Sequence, residues 1–100
     1  MYERKVLLGF IRVHILYHST EENGVYGVEM IKELESHGYS ISPGTLYPIL
    51  HEMKKDGMLA SKQKKVNGKI RKIYSATLKG KQTLETLKKF ITELSSEVMV

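Results

Sequence analysis

Three groups of residues have types and spacings suited to binding or catalysis. The first is Ser42, Gly44, Thr45, Tyr47 and Pro48, followed within two helical turns by His51, Lys54 and Lys55. Hydroxyls, cations and a glycine that admits close backbone approach suit contacts to phosphate oxygens and base edges. The second is a run of bases. Lys62, Lys64, Lys65, Lys69, Arg71, Lys72, Lys79 and Lys81 stand between Asp56 and Glu85 with no acid among them. That segment is +8 in a chain of formal net charge +5, so the remainder is mildly acidic. Solvated surfaces usually mix both signs, and a one-sign segment points to a local polyanion contact. The third group is His14 and His18, spaced i, i+4, which two ligands of a metal can share. No Glu follows His14 and no third ligand is evident, whereas a metal site needs three or four converging donors. The pair therefore reads as interface or surface histidines, and no metal or cofactor is expected.

Several classes are excluded by what is missing. There is no Cys, so disulfides, a thiolate nucleophile and Cys-ligated zinc or iron–sulfur centres are ruled out. Asp56 is the only Asp and falls at a helix end, which leaves no Ser–His–Asp arrangement, and no catalytic residue is assigned. The apolar stretch Val6–Tyr17 is interrupted by Arg12 and His14, is too short to span a bilayer and lacks a cleavage site. A cytoplasmic protein without a membrane partner is the expectation. At 100 residues the chain makes one domain. Such a chain buries only about two-thirds of its unfolded surface, so a partner subunit would help it.

These residues must be held by a small set of elements. Glu3–His18 reads as a helix apolar most of the way round, with a thin polar strip at Arg4, Arg12, His14 and His18. Such a helix must be covered on more than one side. Leu7, Phe10, Ile11 and His14 are therefore assigned to a subunit interface as well as to the core. Ser19–Val25 is polar and reads as a loop. Tyr26–His37 is a second helix with Gly27, Met30, Ile31 and Leu34 on one face, stopped by Gly38. Ser42–Asp56 is a third, with Ser42 as N-cap and Pro43 at the first helical position. Leu46, Ile49, Leu50 and Met53 form its inner face, and Gly44, Pro48, His51 and Lys55 the outer, with Tyr47 and Lys54 at the edge. Pro48 breaks the helix rule, and broken local rules cluster at functional positions.

Leu59–Val66 and Lys69–Ser75 flank Asn67-Gly68, the strongest short hairpin signal. Counting outward pairs Val66 with Lys69, Lys64 with Arg71 and Lys62 with Ile73, and gives a ribbon whose tip is basic on both faces. Thr77 caps a last helix running nearly to Val100. Its Leu84, Leu87, Ile91, Leu94 and Val98 are spaced 3, 4, 3 and 4, a heptad seam of about two repeats. Lys79 and Lys81 oppose the dipole at its start.

The predicted fold is mainly α with a small β-hairpin: a winged helix-turn-helix of three helices and a two-stranded wing over residues 1–76. A C-terminal dimerisation helix over 77–100 packs on the same domain. The third helix is expected to read the major groove, and the wing to follow the adjacent backbone or enter a minor groove. The run from Tyr26-Gly27 through His37-Gly38-Tyr39-Ser40-Ile41-Ser42-Pro43-Gly44-Thr45-Leu46-Tyr47-Pro48-Ile49-Leu50 to Asp56-Gly57-Met58-Leu59 resembles the winged-helix domain of PadR-like transcriptional regulators. Arg71-Lys72-Ile73-Tyr74 and Thr77-Leu78-Lys79-Gly80 resemble that family's second wing strand and its entry to the last helix. The single C-terminal helix is similar to the family's short branch. The resemblance implies a homodimeric repressor with dimer contacts from the first and last helices. It also implies that Ser42, Gly44, Thr45, Tyr47 and Pro48 match the DNA-reading segment, and that a small aromatic or hydrophobic effector is sensed by some members. The rival reading is a winged-helix adaptor that binds protein only, since fold does not dictate function.

Overall fold

The computed structural model describes residues 1–100. Its elements are α1 (Tyr2–His18), β1 (Val25–Tyr26), α2 (Gly27–Ser36), α3 (Pro43–Lys55), β2 (Leu59–Val66), β3 (Lys69–Ala76) and α4 (Leu78–Val98). The helices fall where the apolar periodicities put them. The core is built from Ile11, Ile15 and Leu16 of α1, Met30 and Leu34 of α2, and Leu46, Ile49, Leu50 and Met53 of α3. Val25, Leu59, Tyr74 and Leu84 close it. Ile15, Met30, Leu34, Leu46 and Leu50 are fully buried, so each contributes about 1.5–3 kcal/mol of apolar burial.

The hairpin has the predicted register, Val66 opposite Lys69, Lys64 opposite Arg71 and Lys62 opposite Ile73. Asn67 and Gly68 have φ of 51° and 78°, the positive pair that a type I′ turn requires. The sheet, however, has three strands in the order β1-β3-β2, not two. Val25 and Tyr26, assigned to a loop and a helix start, pair antiparallel with Tyr74 and Ile73. A two-residue strand carries no periodicity of its own; it exists because β3 offers it an open edge. Gly24 makes the approach possible. Its φ is +70°, and a Cβ there would lie 2.5 Å from Ile73 Cγ2 and 2.8 Å from the Tyr74 carbonyl oxygen.

Two further local readings change. Ser42 does not cap α3 with its side chain. Its carbonyl accepts from Thr45 N–H (3.0 Å) and Leu46 N–H (2.9 Å), while its hydroxyl turns to Thr45 Oγ1 (3.4 Å). Lys79, read as opposing the α4 dipole, donates instead to the Asp56 carbonyl at the end of α3 (3.0 Å), where a cation is favourable. Thr77 does cap α4, with Oγ1 accepting from Gly80 N–H at 3.0 Å. Gly80 sits against the Met58 carbonyl so closely that a Cβ would come within 2.2 Å of the oxygen. This joint ties the last helix to the end of α3.

Beyond Leu87, which is half-buried against it, α4 leaves the core. Phe90, Ile91, Leu94 and Val98 are all exposed, and the molecule extends 51 Å along its long axis against 30 and 22 Å across it. No helix is long and apolar enough to cross a membrane.

Candidate nucleic-acid interface

The inward pull of Leu46, Ile49, Leu50 and Met53 sets the rotation of α3, and the opposite face turns to solvent. Gly44, Tyr47, Pro48, His51, Lys54 and Lys55 are exposed, as is Ser42 at the N-cap; Thr45 is half-buried. Gly44 has only Ser42 Oγ near the place where a Cβ would stand, so its backbone is open to an approaching ligand. Pro43 has no N–H and the Thr45 and Leu46 N–H groups already donate to the Ser42 carbonyl, so Gly44 supplies the one backbone donor of the first turn that is left for an anion. Arg4 of α1 reaches this turn as well, with a guanidinium nitrogen 3.5 Å from Thr45 Oγ1. Nothing in the local pattern marked Arg4, because its neighbour is 41 positions away.

Glu52 is the one acid on α3, and Arg12 pairs with it at 3.4 Å. Its charge is thereby partly offset on this face. The bases of the wing behave differently. Lys62, Lys64, Lys65, Lys69 and Lys72 are exposed and Arg71 half-buried, and none of them enters an ion pair. A cation without an internal partner keeps its whole charge for a ligand.

The outer face of α3 and the wing are joined by a cleft of about 520 Å³. Tyr47, Lys69, Arg71, Lys72 and Tyr74 line it together with Tyr26, Gly27 and Val28. The start of α2 was not among the predicted contacts, yet its first turn opens into the same cleft. Gly27 is what lets Tyr47 lie there: a Cβ at 27 would be 2.6 Å from the Tyr47 hydroxyl oxygen. The glycine read as an inner-face helix position is thus a seat for the tyrosine. Burial, followed by the nearby Tyr47, pushes the Tyr74 hydroxyl above its ordinary pKa, so it stays a neutral donor at the floor of the cleft.

The predicted subunit contacts divide. Leu7, Phe10, Ile91, Leu94 and Val98 are exposed, at 41–65% of their surface, and so remain available to a partner. His14 and Leu87 are half-buried. Ile11 and Leu84 are a correction: at 4% and 5% exposed they are consumed by the core of a single chain and have almost nothing left to offer. The heptad seam mixes two jobs, with its first members facing inward and its last facing out. Between α1 and α4 runs a groove of about 570 Å³ with Phe10, Val13, Tyr17, Ile91 and Leu94 among its walls. His14 lines it too, its imidazole held below the ordinary histidine value by burial and then by the His37 and His18 rings.

Comparison with known proteins bears on this arrangement. Residues 15–86 match the model of the "Transcriptional regulator PadR-like family". The transcriptional regulator Rv3488 of Mycobacterium tuberculosis is 44% identical over 89 residues, covering 89% of this chain and 82% of the relative. The crystal structure of a PadR-like transcriptional regulator from Bacillus cereus superposes with a TM-score of 0.85 at 34% identity, over 94% of this chain and 92% of that one. A PadR-like transcription factor from Bacteroides fragilis gives 0.81 at 28% identity, over 97% and 94%.

Proposed function

Because the chain belongs to the PadR-like family of transcriptional regulators, we propose that it is a sequence-specific double-stranded DNA-binding repressor that acts as a homodimer on an inverted repeat. The observation that carries this reading is the set of unpaired wing cations standing beside the exposed face of α3. Ser42, Thr45, Arg4 and the first turn of α3 take phosphate oxygens. Tyr47, His51, Lys54 and Lys55 face the base edges, with Pro48 and Gly44 allowing close approach. Lys62, Lys64, Lys65, Lys69, Arg71 and Lys72 follow the neighbouring backbone. A protein-only adaptor would have no use for so many cations lacking partners.

The dimer forms through α1 and the outer half of α4, by burial of Leu7, Phe10, Ile91, Leu94 and Val98. With about half of each side chain still to be covered, each supplies about 1 kcal/mol or somewhat more, and ten of them over two protomers offset the cost of association. The apolar groove between the two helices supports release by a small aromatic or hydrophobic effector that enters at this seam.

Selection of bound fragments from random double-stranded DNA tests the reading. An enriched inverted repeat with half-site centres about 10 base pairs, or a multiple of one helical turn, apart is the expected result. A pool that never enriches, from a protein that retards no duplex even at low salt, overturns it.

A further inference from the structure

Three of the four histidines meet in space. His14 and His18 lie one turn apart on α1, and the end of α2 brings His37, its C-cap residue, against them. One donor nitrogen from each lies within 4.8 Å of the others. The rings are close to parallel, with His14 and His37 centroids 4.8 Å apart at 24° and His18 and His37 5.9 Å apart at 27°. The third ligand that no local spacing revealed is therefore a tertiary neighbour.

His18 is the informative member. It is 7% exposed, and its Nε2 has no hydrogen-bond partner. Buried polar atoms in that condition are rare, and each calls for an explanation such as an ion. Its Nδ1 lies 3.5 Å from Glu21 Oε1. A carboxylate there favours the proton on Nδ1 and leaves the lone pair on Nε2, the arrangement found behind metal-ligating histidines. Glu33 Oε2 lies 3.8 Å from His18 Nε2 and 3.9 Å from His37 Nε2. Those separations are too long for hydrogen bonds. They approach the spacing of about 3.4 Å between two donors on one tetrahedral ion with bonds near 2.1 Å.

We propose that His14, His18 and His37, with Glu33 as the fourth donor, form a binding site for a divalent ion of the zinc class, and that Glu21 orients His18 from outside the coordination sphere. Three imidazoles and a carboxylate suit zinc and its borderline neighbours. Magnesium and calcium take oxygen donors, and copper(I) takes sulfur. The donors must draw together by about 1.5 Å at most to reach tetrahedral spacing. His37, exposed at a helix end, has the freedom to make that move. Tyr17 edges against His18 and Tyr39 against His14, which holds those two rings in place. Lys88, a cation on the wall of the same groove, is engaged by Glu85 at 2.7 Å. A bound ion would pin α1 to the end of α2, directly before the turn that leads into α3.

The test is titration of chelator-treated protein with zinc chloride by calorimetry, repeated with cobalt(II) to read its visible absorption. One ion per chain, with the intense cobalt bands of a tetrahedral site, is the expected result. H37A and H14A should each weaken zinc by more than about 10- to 100-fold, the penalty for losing even an outer-shell partner, while keeping the parent's far-ultraviolet circular dichroism. E33Q should weaken it as well and change the cobalt spectrum. H51A removes the only other histidine and should bind as the parent does. Zinc uptake below one per chain, or H37A and H14A folding and binding zinc like the parent, overturns the proposal.

Discussion

The two long faces of this molecule are incomplete in opposite ways. On the face formed by α3 and the wing, the wing cations stand in water with no carboxylate paired to them. On the face formed by α1 and the outer half of α4, apolar side chains stand in water with no core beneath them. A charge without a partner costs the monomer little, because water solvates it, whereas exposed apolar surface is unfavourable at every salt concentration. The first face thus asks for a polyanion and gives a salt-dependent contact. The second asks for more of the same kind of surface and gives a contact nearly blind to salt.

Four measurements probe that contrast. The largest effect belongs to I91K combined with L94K, which places charge on two of the three outer seam positions of each protomer. Sedimentation should report monomers at concentrations where the parent is dimeric, since Ile91 and Leu94 are about half exposed in the single chain and about 3–6 kcal/mol of apolar burial is removed over the two protomers. A dimer that survives both changes would move the interface away from α4. Next is G80A, at the joint between the two faces. A Cβ within 2.2 Å of the Met58 carbonyl oxygen forces α4 outward, and stability should fall by about 1–3 kcal/mol. Urea unfolding should show this as a lower midpoint with an unchanged slope; an unchanged midpoint would mean that the joint yields freely.

A smaller effect is expected from K64A and R71A. Each should weaken binding to cognate and random DNA alike and lower the salt slope by about 0.9, the share of one phosphate that is no longer neutralised. Sedimentation of these variants should match the parent, which separates the two faces experimentally. A slope that does not move means that the residue touches no phosphate. The smallest effect concerns Tyr74. Its hydroxyl holds its proton above the ordinary value of 10.0 in the folded chain, whereas the unfolded chain loses it near that value. The folded state then binds more protons, so stability falls as pH rises past about 10 and is unaffected by this group near neutrality. Urea midpoints across that range should drop less steeply in Y74F; identical pH dependence would assign the alkaline loss elsewhere.

The features that run unchanged from residues to structure share one trait: their causes are local. The Asn67-Gly68 turn needs two positive φ values and is followed by the register it dictates. The α3 face follows from four apolar residues in a 3.6-residue period. The features that differ depend on distant atoms. Val25 and Tyr26 become a strand because β3, about fifty positions on, offers them an edge. Lys79 finds the end of α3 through the fold. Arg4 meets Thr45, and Gly27 seats Tyr47, across gaps no window of sequence spans. The seam of α4 looks uniform as a heptad, yet Leu84 is buried and Val98 is not, because the core stops partway along the helix.

The order of the four helices and the hairpin, the hairpin register, the absence of thiol chemistry and the uneven spread of charge were legible in the residues alone, whereas the short strand β1 was not. Which apolar residues stay uncovered, how the start of α2 shares a cleft with the wing, and the meeting of His37 with His14 and His18 were settled by packing. Those features depend on how helices cross, and crossing is the outcome of burying all the apolar faces together, which no single segment encodes.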